Sequence, residues 1–348
     1  MRRPTRGTGS TVRSTNLSDR GDGGAELSRA RPGVFEQPGE EPARAPGAQP
    51  GESGWREEEL REWLAAHLRA WERHRVTFGV TLPSFASGAV EEHVRVFRAG
   101  CIDVGSGGLP PPAAMRHCAG EVTQGFAFTV MLSDDTLVYR FLYGHPDRGR
   151  RGELNPGFLD PGPLRERVCV ALDTLDGMLD TVVLQMQPVY RTEELRAPEF
   201  VGRLDRFLGG LPRACRYAVD LRTPAFNVPE YRACLRDHGV AHLLHHEPRL
   251  LHPWPETPSL IDQLLTPGIL SAPCCPVLVH AGPEQNHNRD DEALMLGIHE
   301  LIRACGDEGV ALTVLMSHGR DTLPVLTRLL HSLDGELARR SPLRRRAA

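Results

Sequence analysis

The sequence predicts an α/β fold, a (β/α)8 TIM barrel with a disordered N-terminal extension, and three observations carry that expectation. Between Thr181 and His246 the short apolar runs TVVLQ, RYAVDL and VAHLL alternate with two amphipathic helical patterns, as in a parallel sheet. Eight such strand-like runs recur between residues 75 and 335. The length of 348 residues holds a barrel of about 250 residues plus tails. An open doubly wound sheet uses the same alternation, since local pattern does not report closure.

Taken in order, residues 1–55 are rich in Arg, Gly, Pro, Ser, Thr and Glu and poor in large apolar side chains. Such a segment buries too little surface to offset its ordering entropy, so disorder is expected there. Its opening, MRRPTRGTGSTVRSTNLS, has the composition of an organelle transit segment without an amphipathic face. Residues 56–74 read as a helix from the stripe Leu60, Trp63, Leu64, His67, Leu68 and Trp71.

The barrel domain is placed at 75–335, with strands at Arg75–Val80, Cys101–Val104, Phe126–Leu132, Thr181–Gln185, Tyr217–Leu221, Ala241–Leu244, Val277–His280 and Ala311–Met316. Helical faces intervene: Val90, Val94 and Phe97; the stretch after Pro112; Leu164 to Leu175; Phe200 to Leu208; and Pro229 to Gly239, with Pro at its start and Gly at its end. Leu294 to Ile302 and Leu326 to Leu333 complete the series. The long connections 133–163 and 247–276 sit where cleft-capping loops belong. Residues 336–348 form an Arg-rich tail, five arginines falling between Arg339 and Ala348.

Composition excludes some chemistry. All 41 basic residues are arginine and none is lysine, so Schiff-base catalysis, pyridoxal phosphate attachment and a P-loop lysine have no amine to use. The eight cysteines form no CxxC pair and mostly sit in apolar runs, as thiols do in a reducing compartment, so a cytoplasmic protein is expected. Adjacent Cys274 and Cys275 read first as small apolar fillers, with metal or redox use as the alternative. No apolar run approaches the roughly 20 residues that cross a bilayer, so no membrane association is expected. The arginine tail alone is weak support for nucleic acid.

Parallel barrels place chemistry at the carboxyl ends of their strands. Here those ends carry Asp103, Gln185, Asp220 with Arg222, His245, His280 and His318. Two carboxylates can divide acid and base roles when their surroundings separate their pKa values, and an arginine can orient an anionic or hydroxylated ligand. Asp220 and Arg222, two apart on one strand face, are equally consistent with a structural ion pair. The histidines His238, His242, His245, His246 and His252 cluster without a recognised metal-binding spacing. A divalent metal is therefore kept as a possibility with no ligand set assigned. The turn Gly105–Gly108 reads first as a flexible turn, and no GxSxG elbow is present.

The segments VVLQMQPVYR and FLGGLPRACRYAVDLRTPAFNVPEYRACLRDHGVAHLL resemble the YecE-like family, domain of unknown function 72. Gln185 with Pro188, Asp220 with Arg222, and Phe226 match its pattern, as do Asp103, Pro112 and Pro324 in the flanks. The resemblance spans roughly residues 76–333 and implies a TIM barrel related in architecture to sugar isomerases. Departures are several. Leu82-Pro83, Gly108-Leu109, Met131, Val279-His280 and Ser317-His318 stand where the family usually shows a Gly-Trp element, an aromatic pair, a lysine, an arginine and an asparagine pair.

Together these readings set an expectation of a small hydroxylated or phosphorylated, sugar-like ligand at the strand ends. Asp103, Asp220, His280 and His318 are the catalytic candidates, for proton transfer or isomerisation. Gln185, Arg222, Phe226 and His245 are the binding candidates. The alternatives are a non-catalytic descendant that binds a ligand or a protein partner, and a metal-dependent phosphoesterase.

Overall fold

The computed structural model describes residues 57–82, 93–103, 109–123, 125–141, 148–175, 177–247, 258–280, 287–319 and 322–340. The extension at 1–55, the tail beyond Arg340, the turn Gly105–Gly108, Val90 and His252 lie outside the described residues.

Among the described residues, nine parallel strand segments make one sheet: β1 (Val76–Thr81), β2 (Ala99–Asp103), β3 (Ala127–Leu132), β4 (Leu179–Gln185), β5 (Arg216–Asp220), β6 (Ala241–His242), β7 (Leu244–His246), β8 (Cys274–Val279) and β9 (Ala311–Met316). Their order is β6-β5-β4-β3-β2-β1-β9-β8-β7. The two ends of that ribbon, β6 and β7, are consecutive in the chain and separated only by Leu243. The sixth barrel strand thus pairs with β5 through its first half and with β8 through its second, and the sheet curls into a (β/α)8 barrel. Helices surround it: α1 (Glu57–Glu72), α2 (Pro112–Glu121), α3 (Pro161–Leu175), α4 (Ala197–Gly209), α5 (Pro229–His238), α6 (Leu260–Leu264), α7 (His287–Glu308) and α8 (Thr322–Arg340).

Local chemistry accounts for the boundaries. Pro229 opens α5 at a position that needs no amide donor, and Gly239 closes it at φ +66°, in the left-handed region a glycine enters without strain. Gly79 lies where β1 meets β2, and a Cβ there would come within 2.8 Å of the Ala99 carbonyl oxygen, so only glycine lets these strands approach. Two buried apolar clusters result. The large one fills the space between sheet and helices and includes Trp71, Phe78, Phe128, Phe200, Tyr231 and Ile298. The small one gathers Cys101, Met131, Val183, Ala218, Leu243, Leu278 and Leu315 from successive strands, so it is the barrel interior.

That alternation fixes which strand-end residues look inward. Side chains two positions apart on a strand share a face. Asp103, Gln185, Asp220, His245 and His280 each lie two residues beyond a member of the interior cluster. They therefore form a polar layer directly above its apolar floor.

Candidate functional site

The centre of this layer is Asp220, the last residue of β5 and fully buried. Its Oδ1 lies 2.8 Å from His245 Nε2, and Arg222 Nε donates to Oδ2 at 2.9 Å. Burial would by itself raise this carboxyl, but His245 and Arg222 outweigh it and hold the group at about 2. Arg222 reaches onward, donating through Nη1 to Glu247 Oε1 at 3.0 Å. Glu247 in turn lies 3.7 Å from His245 Nδ1 and 3.9 Å from His280 Nε2. The result is a connected set, Asp220, Arg222, His245, Glu247 and His280, whose members come from β5, β7, β8 and the residues that follow them.

The switch of partners at Leu243 leaves the sixth strand in need of extra support, which comes from a side chain. Gln263 on α6 accepts from the His245 amide at 3.1 Å and donates to the His245 carbonyl at 2.7 Å, so His245 is held by its backbone as well as by Asp220. His245 is only 7% exposed, and its Nδ1 is buried with no hydrogen-bond partner among the described residues. Because Nε2 faces an ionised carboxylate, a neutral ring carries its proton there and its lone pair on Nδ1.

The remaining predicted residues are distributed unevenly. Gln185 ends β4 with its Nε2 3.4 Å from Met131 Sδ, a weak acceptor that leaves most of the amide's capacity for a ligand. Asp103 is exposed at the end of β2. Phe226 is 2% exposed and stacks on Phe200, ring centroids 4.6 Å apart, in the layer between sheet and helices rather than in the polar layer. His318 lies outside the polar layer too. It follows β9 on the opposite parity, sits 3.1 Å from His93, and lines with it, Arg61, Val80 and Phe97 a separate cavity of about 170 Å³. Glu247 opens the connection that the sequence pattern places at 247–276 and is not among the residues that pattern singles out; its signal is its position two residues beyond His245, on the same strand face.

His242 belongs to the outer face of the same strand, where its Nδ1 meets the Tyr231 hydroxyl at 3.0 Å. Burial first, and the neighbouring His245 second, push its ring down to about 4. Since the folded value lies below the ordinary 6.5, the unfolded chain takes up this proton first as pH falls. The contribution is complete above pH 6.5 and is lost on the way down to about 4, a change of about 3 kcal/mol. Urea unfolding at pH 7 and 4.5 is expected to show a smaller loss in His242→Gln than in the parent chain, by about 2 kcal/mol. Equal losses would contradict the assignment.

Burial also pushes the thiols of Cys101 and Cys274 upward, so neither is an activated nucleophile. Among the described residues no helix is long and apolar enough to cross a membrane.

A family model described as "Protein of unknown function DUF72" matches residues 70–341. The chain belongs to the DUF72 family. A DUF72 protein of Thermotoga maritima MSB8 is 14% identical, with a TM-score of 0.49 over 74% of this chain and 99% of its own. One from Enterococcus faecalis V583 is 10% identical, with a TM-score of 0.46 over 74% of this chain and 96% of its own. No curated protein matches the chain. The low identity to these two structures agrees with a divergent member of the family.

Proposed function

We propose that the DUF72 barrel binds a small hydroxylated or phosphorylated, sugar-like ligand at the carboxyl ends of its strands, with Asp103, Gln185, Arg222 and His280 in contact with it. One observation carries the reading: amide, carboxylate, imidazole and guanidinium groups share the inward face at the strand ends, above an apolar floor, the mix of groups that a small polar molecule needs. Arg222 has five N–H donors, of which Nε and one on Nη1 are committed to Asp220 and Glu247, so the rest can serve a phosphate or a hydroxyl.

Within this reading Asp220 is a positioning residue. Buried and with both oxygens engaged, it orients His245 and Arg222 and is a poor proton acceptor at neutral pH. Asp103, exposed at the rim, is the carboxylate that can exchange a proton with bound ligand. Isomerase-like proton transfer next to a carbonyl is the reaction it suits.

The test is thermal shift of the full chain with sugars, sugar phosphates and sugar acids. A ligand at a hundredfold excess over its Kd raises stability by about 2.7 kcal/mol. Gln185→Ala is expected to abolish that shift with little change in the unliganded melting temperature. Asp103→Asn is expected to keep the shift and lose deuterium exchange at the ligand's acidic carbon. A flat response across the panel would overturn the site. Binding without any exchange would reduce the barrel to a ligand receptor.

A further inference from the structure

Among the described residues, the Nδ1 of His245 is a buried polar atom of the strand-end layer left without a hydrogen-bond partner. It belongs to a ring that is more than nine-tenths buried. A buried polar group left unmet is costly, and most such groups in folded proteins have a partner. One ligand atom each of His245, Glu247 and His280 lies within 4.8 Å of the other two, and His245 Nδ1 is 3.7 Å from Glu247 Oε1.

We propose that His245, Glu247 and His280 form a binding site for one divalent transition-metal ion. Two imidazoles and a carboxylate suit zinc, manganese, cobalt or iron. An ion at about 2.1 Å from tetrahedrally placed donors sets those donors about 3.4 Å apart. The separations of 3.7 Å and 3.9 Å in the cluster close to that value by a few tenths of an ångström, within reach of small side-chain rotations.

The surroundings are those that metal ligands need. Asp220 accepts from His245 Nε2, which fixes the tautomer with its lone pair on Nδ1, the carboxylate–histidine–metal arrangement. Arg222 holds Glu247 at 3.0 Å and so plays the same part for the carboxylate. Gln263 locks the His245 backbone. Two carboxylates against one guanidinium leave the cluster net negative in its ionised form, so a cation is not opposed by Arg222 overall. His280 is a third exposed, so the cluster reaches the surface there and an ion has an entry path. Three protein donors leave a coordination position for water or a ligand hydroxyl, as in catalytic rather than structural sites. What that position faces rests on the sugar-like ligand reading; the ion itself does not.

The experiment uses the full chain, stripped with EDTA and titrated separately with Zn²⁺, Mn²⁺ and Co²⁺ by calorimetry, with stoichiometry from elemental analysis. One ion per chain is expected for at least one of these metals. His280→Gln and Glu247→Gln are each expected to weaken its binding about tenfold or more, and Co²⁺ to give a visible absorption spectrum that both variants lose. His280→Gln changes a partly exposed residue and keeps the test valid if Glu247→Gln fails to fold. His238→Gln, in the separate Asp205–Cys234–His238 group, is expected to bind as the parent does. No uptake, uptake intact in His280→Gln, or uptake lost in His238→Gln would overturn the site. Gln185→Ala separates the two readings: it is expected to keep the ion and lose the organic ligand's thermal shift.

Discussion

Replacing Asp220 with Asn is expected to destabilise the chain by about 3–5 kcal/mol, the cost of removing one partner from a buried charge network. The carboxylate is fully buried and takes the Arg222 Nε and His245 Nε2 together. Asn offers one oxygen where two are used and leaves the guanidinium, only 24% exposed, with Glu247 as its remaining carboxylate among the contacts described above. Urea unfolding at pH 7 measures the difference. A loss under about 1 kcal/mol would mean that the pair behaves as an exposed ion pair and that Asp220 does not organise the layer.

Trp71→Ala is expected to cost about 3–5 kcal/mol, the range for large aromatic truncations in a core. Trp71 is fully buried near the end of α1 and belongs to the cluster that joins the helices to the sheet. The helix is therefore part of the barrel's own packing rather than a detachable leader. Trp71→Phe separates this from any role of the indole, since Nε1 is buried with no hydrogen-bond partner among the described residues. The expected order is a small loss for Phe and a large one for Ala. Equal, small losses by urea unfolding would contradict the packing described.

Much of this architecture was legible because a parallel barrel repeats one pattern. The run Ala311–Met316 is a strand with the bounds its apolar pattern predicts, and Pro229 with Gly239 brackets α5 as helix-end chemistry requires. Parity did further work: Asp103, Gln185, Asp220, His245 and His280 share the inward face because each stands two residues past an interior apolar side chain. Closure was not legible. It depends on one strand changing neighbours at Leu243 while Gln263 supplies hydrogen bonds from a distant helix, and no local pattern encodes either. The same break carries the strand as far as His246 and brings Glu247 over the barrel mouth, which a strand ending at Leu244 would not do.

Phe226 and His318 show the opposite limit. Both sit just beyond a strand end in sequence, yet the chain turns there: Phe226 enters a short 3-10 turn and stacks on Phe200, and His318 follows β9 to meet His93 outside the layer. Position after a strand gives height along the barrel. It does not give side.

Whether the polar layer above the barrel floor is the ligand site is decided by a crystal structure of the full chain soaked with ribose 5-phosphate or inorganic phosphate. Density is expected between Gln185, Arg222 and His280, with the phosphate on the guanidinium. Density confined to the cavity lined by His93 and His318, with the layer above the floor empty, would contradict it.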